Sequence, residues 1–146
     1  MSLNNTPDPN ETAIFGALDT SNESTESFIR RPLSATDQAA VDALPYGSAL
    51  LIVQRGPNSG ARFLLDKEVT TAGRSPKADI FLDDVTVSRR HCEFRAVDAG
   101  FIVRDSGSLN GTYVNRERTE SAELHTGDEV QVGKYRLTYH PSNKAS

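Results

Sequence analysis

Hydrophobic and polar positions follow the period of β-strands from position 48 onward. Ala49–Val53 is a continuous apolar run, and Gly, Pro, Asn and Asp mark turns after it at intervals of about 8–12 residues. This spacing is typical of a β-sandwich that carries its function on loops. The pattern predicts an all-β fold with strands at 49–53, 61–66, 70–73, 79–82, 91–97, 101–105, 112–114, 129–132 and 135–139.

The N-terminal part lacks this periodicity. Residues 1–33 are rich in Asn, Ser, Thr, Asp, Glu and Pro, a composition that buries too little surface to offset chain entropy and predicts flexibility. Ser34 and Asp37 form a weak capping pattern and Pro45 ends the segment, which predicts one short helix at 35–43. We therefore expect a flexible regulatory tail at 1–45, a domain at 46–140 and a flexible C-terminus at 141–146.

Charge separates the same two parts of the chain. Residues 1–45 carry seven acids and two bases, a net charge of −5, whereas residues 46–146 carry fourteen bases and thirteen acids, a net of +1. The tail is thus acidic and the domain nearly neutral. A nucleic-acid-binding domain normally shows a broad basic surface, so this balance argues against that class.

Cysteine content and hydropathy bear on disulfide formation, membrane association and cellular compartment. Cys92 is the single cysteine, so no internal disulfide forms, and its apolar surroundings predict a small buried side chain. The chain shows no leader pattern and no apolar run near the length of a membrane span. We expect a soluble cytoplasmic protein without membrane association, and a monomer as the simplest state.

Three predicted turns carry the residue types needed to hold a phosphate. A phosphothreonine presents nearly two negative charges and several acceptor oxygens, so its reader needs convergent, charge-assisted donors. Arg74 supplies a planar fork, Ser88 a hydroxyl and Arg89 a second cation, while Asn110 offers donors and an acceptor for a peptide backbone. Gly111 permits the positive φ that such a turn requires.

Each of these residues alone has a simpler explanation. An Asn-Gly pair is commonly a hairpin turn, and Arg89-Arg90 alone would be a solvated pair. His91 is best explained as a ring that bonds to loop backbone and fixes the turn presenting Ser88. The signal for phosphate binding comes from the combination, in this order along the chain.

Residues 48–140 resemble a forkhead-associated (FHA) domain, through Gly73-Arg74, Ser88-x-x-His91 and Asn110-Gly111. The resemblance implies a β-sandwich of about eleven strands whose loops bind phosphothreonine peptides and select the residue three positions after the phosphothreonine. It implies phosphate contacts from Arg74 and Ser88, assistance from Arg89 and a backbone contact from Asn110. It further implies a contact from Thr112 and architectural roles for Gly73 and His91.

Longer segments resemble small actinobacterial FHA regulators of the OdhI/GarA type. They include 55–58, 63–66, 79–91 and 108–116. The resemblance implies that the unphosphorylated domain inhibits 2-oxoglutarate dehydrogenase and acts on enzymes of glutamate metabolism. It also implies that a Ser/Thr protein kinase phosphorylates the tail, which then binds its own FHA domain and switches the regulator off.

Two tail threonines have the expected surroundings for that switch. Thr12 has Phe15 three residues after it, in Glu-Thr-Ala-Ile-Phe-Gly, where the resembled group has Glu-Thr-Thr-Ser-Val-Phe-Arg. One of the two adjacent acceptors of that group is therefore missing here. Thr25 is the second candidate, because Phe28 follows it at the same interval.

Two other functions remain open from the sequence. The first is a trans-acting adaptor that recruits a phosphorylated kinase or another phosphoprotein, with the tail as a spacer. The second is an enzyme, which is disfavoured because His125 and His140 have no evident partner set and no nucleophile or metal-ligand motif occurs. We expect no catalytic residue, metal or cofactor.

Overall fold

The computed structural model describes residues 33–98 and 100–145, and Leu33–Ser146 forms a compact unit. Residues 1–32 of the predicted tail, with Thr12 and Thr25, lie outside the described residues. Eleven strands occur among the described residues, as the FHA resemblance implies, together with one helix where the local pattern predicts it. They are α1 Ala35–Asp42, β1 Ala49–Arg55, β2 Arg62–Leu65, β3 Val69–Gly73, β4 Ile80–Phe81, β5 Cys92–Val97, β6 Gly100–Asp105, β7 Thr112–Val114, β8 Glu117–Thr119, β9 Ser121–Glu123, β10 Glu129–Val132 and β11 Tyr135–Pro141.

The strands form two sheets that pack as a sandwich. One has the order β2-β1-β11-β10-β7-β8 and the other the order β4-β3-β5-β6-β9. Side chains that alternate inward along the strands meet in one core. Leu51, Phe94, Val103 and Tyr139 are among its fully buried members. The rings of Phe101 and Tyr139 meet edge to face with centroids 6.4 Å apart.

Helix α1 explains why β1 is apolar on both faces. The Ser34 hydroxyl accepts a hydrogen bond from the Asp37 N–H at 3.1 Å and caps the helix. Val41 of the helix and Leu44 after it pack on Leu50 and Ile52, the outward-facing residues of β1. The compact unit therefore begins at residue 33, before the boundary predicted at 46.

The C-terminal residues are also bound to the sandwich. Strand β11 runs to Pro141, and the Ser142 N–H donates to the Ser48 carbonyl at 2.8 Å. The Asn143 amide donates to Asp42 of α1 at 2.8 Å, and the Lys144 ammonium donates to the Asp42 carbonyl. Residues 141–144 are thus part of the folded unit, in contrast to the flexible end predicted from their composition. No helix among the described residues is long and apolar enough to cross a membrane.

Strand register brings three loops to one end of the sandwich. Ala72 of β3 pairs with Cys92 of β5, and Cys92 pairs with Asp105 of β6. The end of β3, the start of β5 and the end of β6 therefore lie side by side. The loops that leave them, residues 74–79, 82–91 and 106–111, share this end of the molecule and contain the predicted phosphate-binding residues.

Candidate functional site

A close backbone approach joins the first two loops. The Arg74 N–H donates to the Ser88 carbonyl at 2.9 Å, and the Ser75 N–H donates to the Arg89 carbonyl at 3.3 Å. Gly73 makes this approach possible, because a Cβ atom at that position would lie 2.1 Å from the Arg89 carbonyl oxygen. The architectural role predicted for Gly73 is therefore one of space rather than of backbone torsion.

The Arg74 side chain is exposed and fixed by one hydrogen bond. Its Nε donates to the Val87 carbonyl at 3.0 Å. This bond anchors the guanidinium beside Ser88, and the terminal nitrogens Nη1 and Nη2 remain for a ligand. A planar guanidinium that presents two N–H donors matches two oxygens of a phosphate.

Ser88 is held by three hydrogen bonds that leave its hydroxyl hydrogen available. Its carbonyl accepts from Arg74, its N–H donates to Nδ1 of His91 at 3.1 Å, and its Oγ accepts from the Leu109 N–H at 3.0 Å. The Ser88 hydroxyl can therefore still donate its own hydrogen to a ligand. Ser88 thus offers an oriented O–H group next to the Arg74 guanidinium.

His91 supports this turn from within the core. Its ring is fully buried, with Nδ1 accepting from Ser88 and Nε2 lying 2.9 Å from the Gly111 carbonyl. The first bond assigns a lone pair to Nδ1, so the neutral ring carries its hydrogen on Nε2 and donates it to Gly111. Burial lowers the pKa of His91 below its usual 6.5, which favours this neutral form. These contacts join His91 to the turn that contains Ser88, and its supporting role in ligand binding stays a prediction.

A pH dependence of stability follows from the two buried histidines. Burial also lowers the pKa of His140, whose Nε2 lies 2.8 Å from the Thr138 hydroxyl. Because both folded pKa values lie below the unfolded value, stability from these groups is complete above pH 6.5 and is lost as the pH falls. Urea unfolding at descending pH should show a slope of up to about 1.4 kcal/mol per pH unit for each histidine.

A matched variant separates this effect from a general surface titration. His125 is 72 % exposed at its side chain. His140→Gln should reduce the slope more than His125→Gln does, because it removes one of the two buried rings. A flat profile between about pH 7 and pH 5 would contradict the assignment of neutral buried rings.

Asp105 shapes the third loop. Its carboxylate accepts from the N–H groups of Gly107 and Ser108 at 2.9 and 3.0 Å and from the hydroxyls of Ser108 and Thr112 at 2.6 Å each. Burial pushes the pKa of Asp105 upward, but these four hydrogen bonds outweigh it and the pKa is lowered overall. The loop is therefore organised around an ionised carboxylate.

Gly111 and Thr112 close this loop from the inside. Gly111 has a φ of +87°, confirming the predicted left-handed turn, and its N–H donates to the Ser108 hydroxyl at 2.9 Å. Thr112 is fully buried in β7, with its hydroxyl committed to Asp105. Its side chain does not reach the surface formed by Arg74 and Ser88, so it positions the loop rather than touching a peptide.

Asn110 connects the second and third loops. Its Nδ2 donates to the Thr86 carbonyl at 3.0 Å, which leaves Oδ1 and the second amide hydrogen for a peptide backbone. The Asp84 carboxylate accepts a hydrogen bond from the Thr86 N–H at 2.9 Å. The Thr86 hydroxyl accepts a hydrogen bond from the Lys134 N–H at 2.9 Å. Thr86 thus ties both loops to the β10–β11 turn.

Sequence reasoning missed Thr86, Asp105 and Ser108 as organisers of the site. The signal was present in part, because Asp-x-Thr at 84–86 and Asp-x-Gly-Ser at 105–108 are patterns in which a carboxylate bonds to the backbone two residues on. These patterns predict turns, but they do not predict which neighbouring loop the turn contacts.

The assembled surface combines cations with exposed apolar side chains. Arg74 and Arg89 are exposed on one side of it, and Val85 and Leu109 project at 90 % and 85 % exposure beside it. Cys92 is buried, and its burial raises the pKa of the thiol to about 12, which disfavours the thiolate form. Within residues 33–98 and 100–145, no three His, Cys, Asp or Glu side chains are placed to hold a metal ion.

Comparison with known proteins places this chain in a family. The FHA domain family matches residues 70–133. The oxoglutarate dehydrogenase inhibitor of Corynebacterium glutamicum is 56 % identical over 142 residues, covering 95 % of this chain and 96 % of the relative. The glycogen accumulation regulator GarA of Mycobacterium tuberculosis is 65 % identical over 116 residues, covering 77 % of this chain and 72 % of the relative.

Solved structures agree with the sequence matches. An FHA domain solved in a study of phosphothreonine-dependent interactions superposes with a TM-score of 0.61 at 29 % identity, covering 66 % of this chain and 99 % of that one. Its coverage shows that the sandwich is shared over its whole length. The chain therefore belongs to the FHA-domain family that includes these corynebacterial and mycobacterial regulators.

Proposed function

We propose that the three-loop surface binds a phosphothreonine peptide. The observation that carries the proposal is the convergence of the Arg74 guanidinium and the Ser88 hydroxyl at one place, each fixed by its own hydrogen bonds. Donors held in advance lose little freedom on binding a dianion. Arg89 adds a second cation beside them, and Asn110 retains groups that suit a peptide backbone.

We further propose that this protein regulates a metabolic enzyme as its relatives are named for doing. The C. glutamicum relative, aligned over nearly the whole chain, is named an inhibitor of oxoglutarate dehydrogenase. By this analogy the unphosphorylated domain inhibits a 2-oxoglutarate dehydrogenase-like enzyme or enzymes of glutamate metabolism in the cytoplasm. It acts as a binding protein, without a catalytic residue of its own.

The switch that we propose is phosphorylation of Thr12 by a Ser/Thr protein kinase. Phe15 stands three residues after Thr12, and Val85 and Leu109 offer exposed apolar contacts beside the phosphate-binding groups. The 32 residues between Phe15 and Ser48 give an effective concentration on the order of millimolar. That is enough to keep a micromolar site occupied by the phosphorylated tail of the same molecule.

A second function is supported by one solved relative. The FHA domain of FhaA, 30 % identical to this chain with a TM-score of 0.58, was solved in complex with the intracellular domain of another protein. By analogy, this domain would act as a trans-acting adaptor for a phosphoprotein, with Thr12 and Thr25 as spacer residues.

Competition for the site distinguishes the two functions. Full-length protein carrying phosphate on Thr12 alone, on Thr25 alone or on neither is titrated against a fluorescent external phosphothreonine peptide. Phosphate on Thr12 should weaken external binding by about tenfold or more, because the tail competes at high local concentration. An effect of Thr25 alone would move the switch there, and equal affinities in all three proteins would leave the adaptor function.

A further inference from the structure

A cavity of about 260 Å³ lies next to the proposed phosphate-binding surface. Its walls come from the loop after β3 and from residues on both sides of His91. Three cationic side chains, those of Lys77, Arg89 and Arg90, line it together with the hydroxyls of Ser75 and Ser106. The cavity is therefore rich in hydrogen-bond donors.

Positive charge dominates this basic cavity. Glu93 is the one acid that lines it, and Glu93 is already paired with Arg95. Among residues 33–98 and 100–145, none of the three lining cations has an acidic partner within 4.0 Å. Three cations close together without a partner repel one another, so a bound anion would relieve an unfavourable interaction.

The basic cavity shares residues with the proposed phosphate-binding surface. Arg89 borders both, since it follows Ser88 directly and its carbonyl accepts from Ser75, another residue of the cavity wall. The exposed apolar side chains of Val85 and Leu109 do not line this cavity, and Leu109 adjoins Ser88 through its N–H bond to Oγ. The surface around Ser88 therefore has a basic part at the cavity and an apolar part at Val85 and Leu109.

One segment of the chain has acidic residues before a threonine and apolar residues after it, which complements this surface. Asp8 and Glu11 precede Thr12, and Ile14 and Phe15 follow it, with no further acid before Asp19. Around Thr25 the order is different, because Ser24 stands directly before it and Glu26 directly after it.

We propose that the basic cavity is a carboxylate-binding subsite for the residue that precedes the phosphothreonine, and that Glu11 is its occupant when Thr12 is phosphorylated. The proposal rests on the proposed function and adds the side chain that selects between the two candidate threonines. Phe15 binds at the Val85 and Leu109 end, and Glu11 binds at the Arg90 and Lys77 end. Thr25 offers no carboxylate at the corresponding position.

A double-mutant cycle between peptide and protein tests this subsite. The full-length unphosphorylated protein and its Arg90→Gln variant are titrated calorimetrically with a peptide of residues 8–20 phosphorylated at Thr12, with and without Glu11→Gln. Either change alone should weaken binding by about fivefold, and both together should weaken it little further, because they remove the same interaction. The matched control Arg62→Gln removes a cation that pairs with Asp37 of α1 at 3.7 Å, and it should change neither affinity.

The outcomes separate this proposal from the proposed function. Losses that multiply in the double variant, or no loss from either single change, would overturn the carboxylate subsite. If binding of both peptides still required Arg74 in those cases, the phosphothreonine site itself would stand. If the Arg74→Ala variant bound both peptides as well as the wild type does, the proposed function would fail instead.

Discussion

Replacing Arg74 with alanine should lower the affinity for a peptide phosphorylated at Thr12 by about 100-fold. The guanidinium presents its terminal nitrogens next to the Ser88 hydroxyl, and hydrogen bonds to charged partners contribute about 1.5–3 kcal/mol each. Loss of two such bonds amounts to about 3 kcal/mol, or two powers of ten in the dissociation constant. Calorimetric titration of the full-length variant measures this directly.

Two further variants show whether charge or geometry is responsible. Arg74→Lys keeps the charge but loses both the planar fork and the Nε bond to the Val87 carbonyl. We expect it to bind about tenfold more weakly than the wild type, between the other two proteins. Arg62→Ala removes a cation of β2 that lies in none of the three loops, and this variant should bind normally.

Stability must be measured alongside binding. Arg74→Ala also removes the hydrogen bond to Val87, which contributes about 1 kcal/mol to the free energy of unfolding. Such a loss leaves a domain of ordinary stability folded. Wild-type affinity in a folded Arg74→Ala protein would contradict the proposed phosphothreonine site.

Much of the fold was predictable because its strands follow simple rules. Apolar runs such as Ala49–Val53 were correctly assigned as strands and Asn110-Gly111 as a turn, and the loops with Arg74 and Ser88 do meet. Strands β8 and β9 were not predicted from the pattern. Each has three residues and no fully buried side chain, so neither leaves a hydrophobic period in the sequence.

Contacts between residues far apart in the chain explain two features that were not predicted from the sequence, the packing of α1 and the burial of Thr112. Helix α1 belongs to the folded unit because Val41 covers Leu50 and Ile52, a contact across the chain that local propensity does not encode. Thr112 was expected on the peptide surface, but the inward face of β7 and the bond to Asp105 place it in the core. A shift of one residue in the register of β7 would move the side chain at position 112 to the other face of the sheet.

The same dependence on close packing makes Gly73 the most sensitive backbone position of the site. In Gly73→Ala the new methyl group would lie 2.1 Å from the Arg89 carbonyl oxygen, and this obstacle is backbone rather than a movable side chain. The loops must separate, which breaks the Arg74–Ser88 and Ser75–Arg89 hydrogen bonds. We expect the free energy of unfolding to fall by about 3 kcal/mol and phosphopeptide binding to become undetectable by calorimetry.

Gly100→Ala is the matched control for this prediction. At Gly100 the nearest atom to a new Cβ is the Tyr139 hydroxyl at 3.7 Å, an ordinary contact. Its unfolding in urea should therefore stay within about 0.5 kcal/mol of the wild type, with unchanged binding. Since both variants add one methyl group at a glycine of the same sheet, a difference between them measures the close approach itself. Equal stability and equal binding in the two variants would mean that the loops can separate at Gly73 without losing the site, so that Arg74 and Ser88 would not need their mutual backbone bonds.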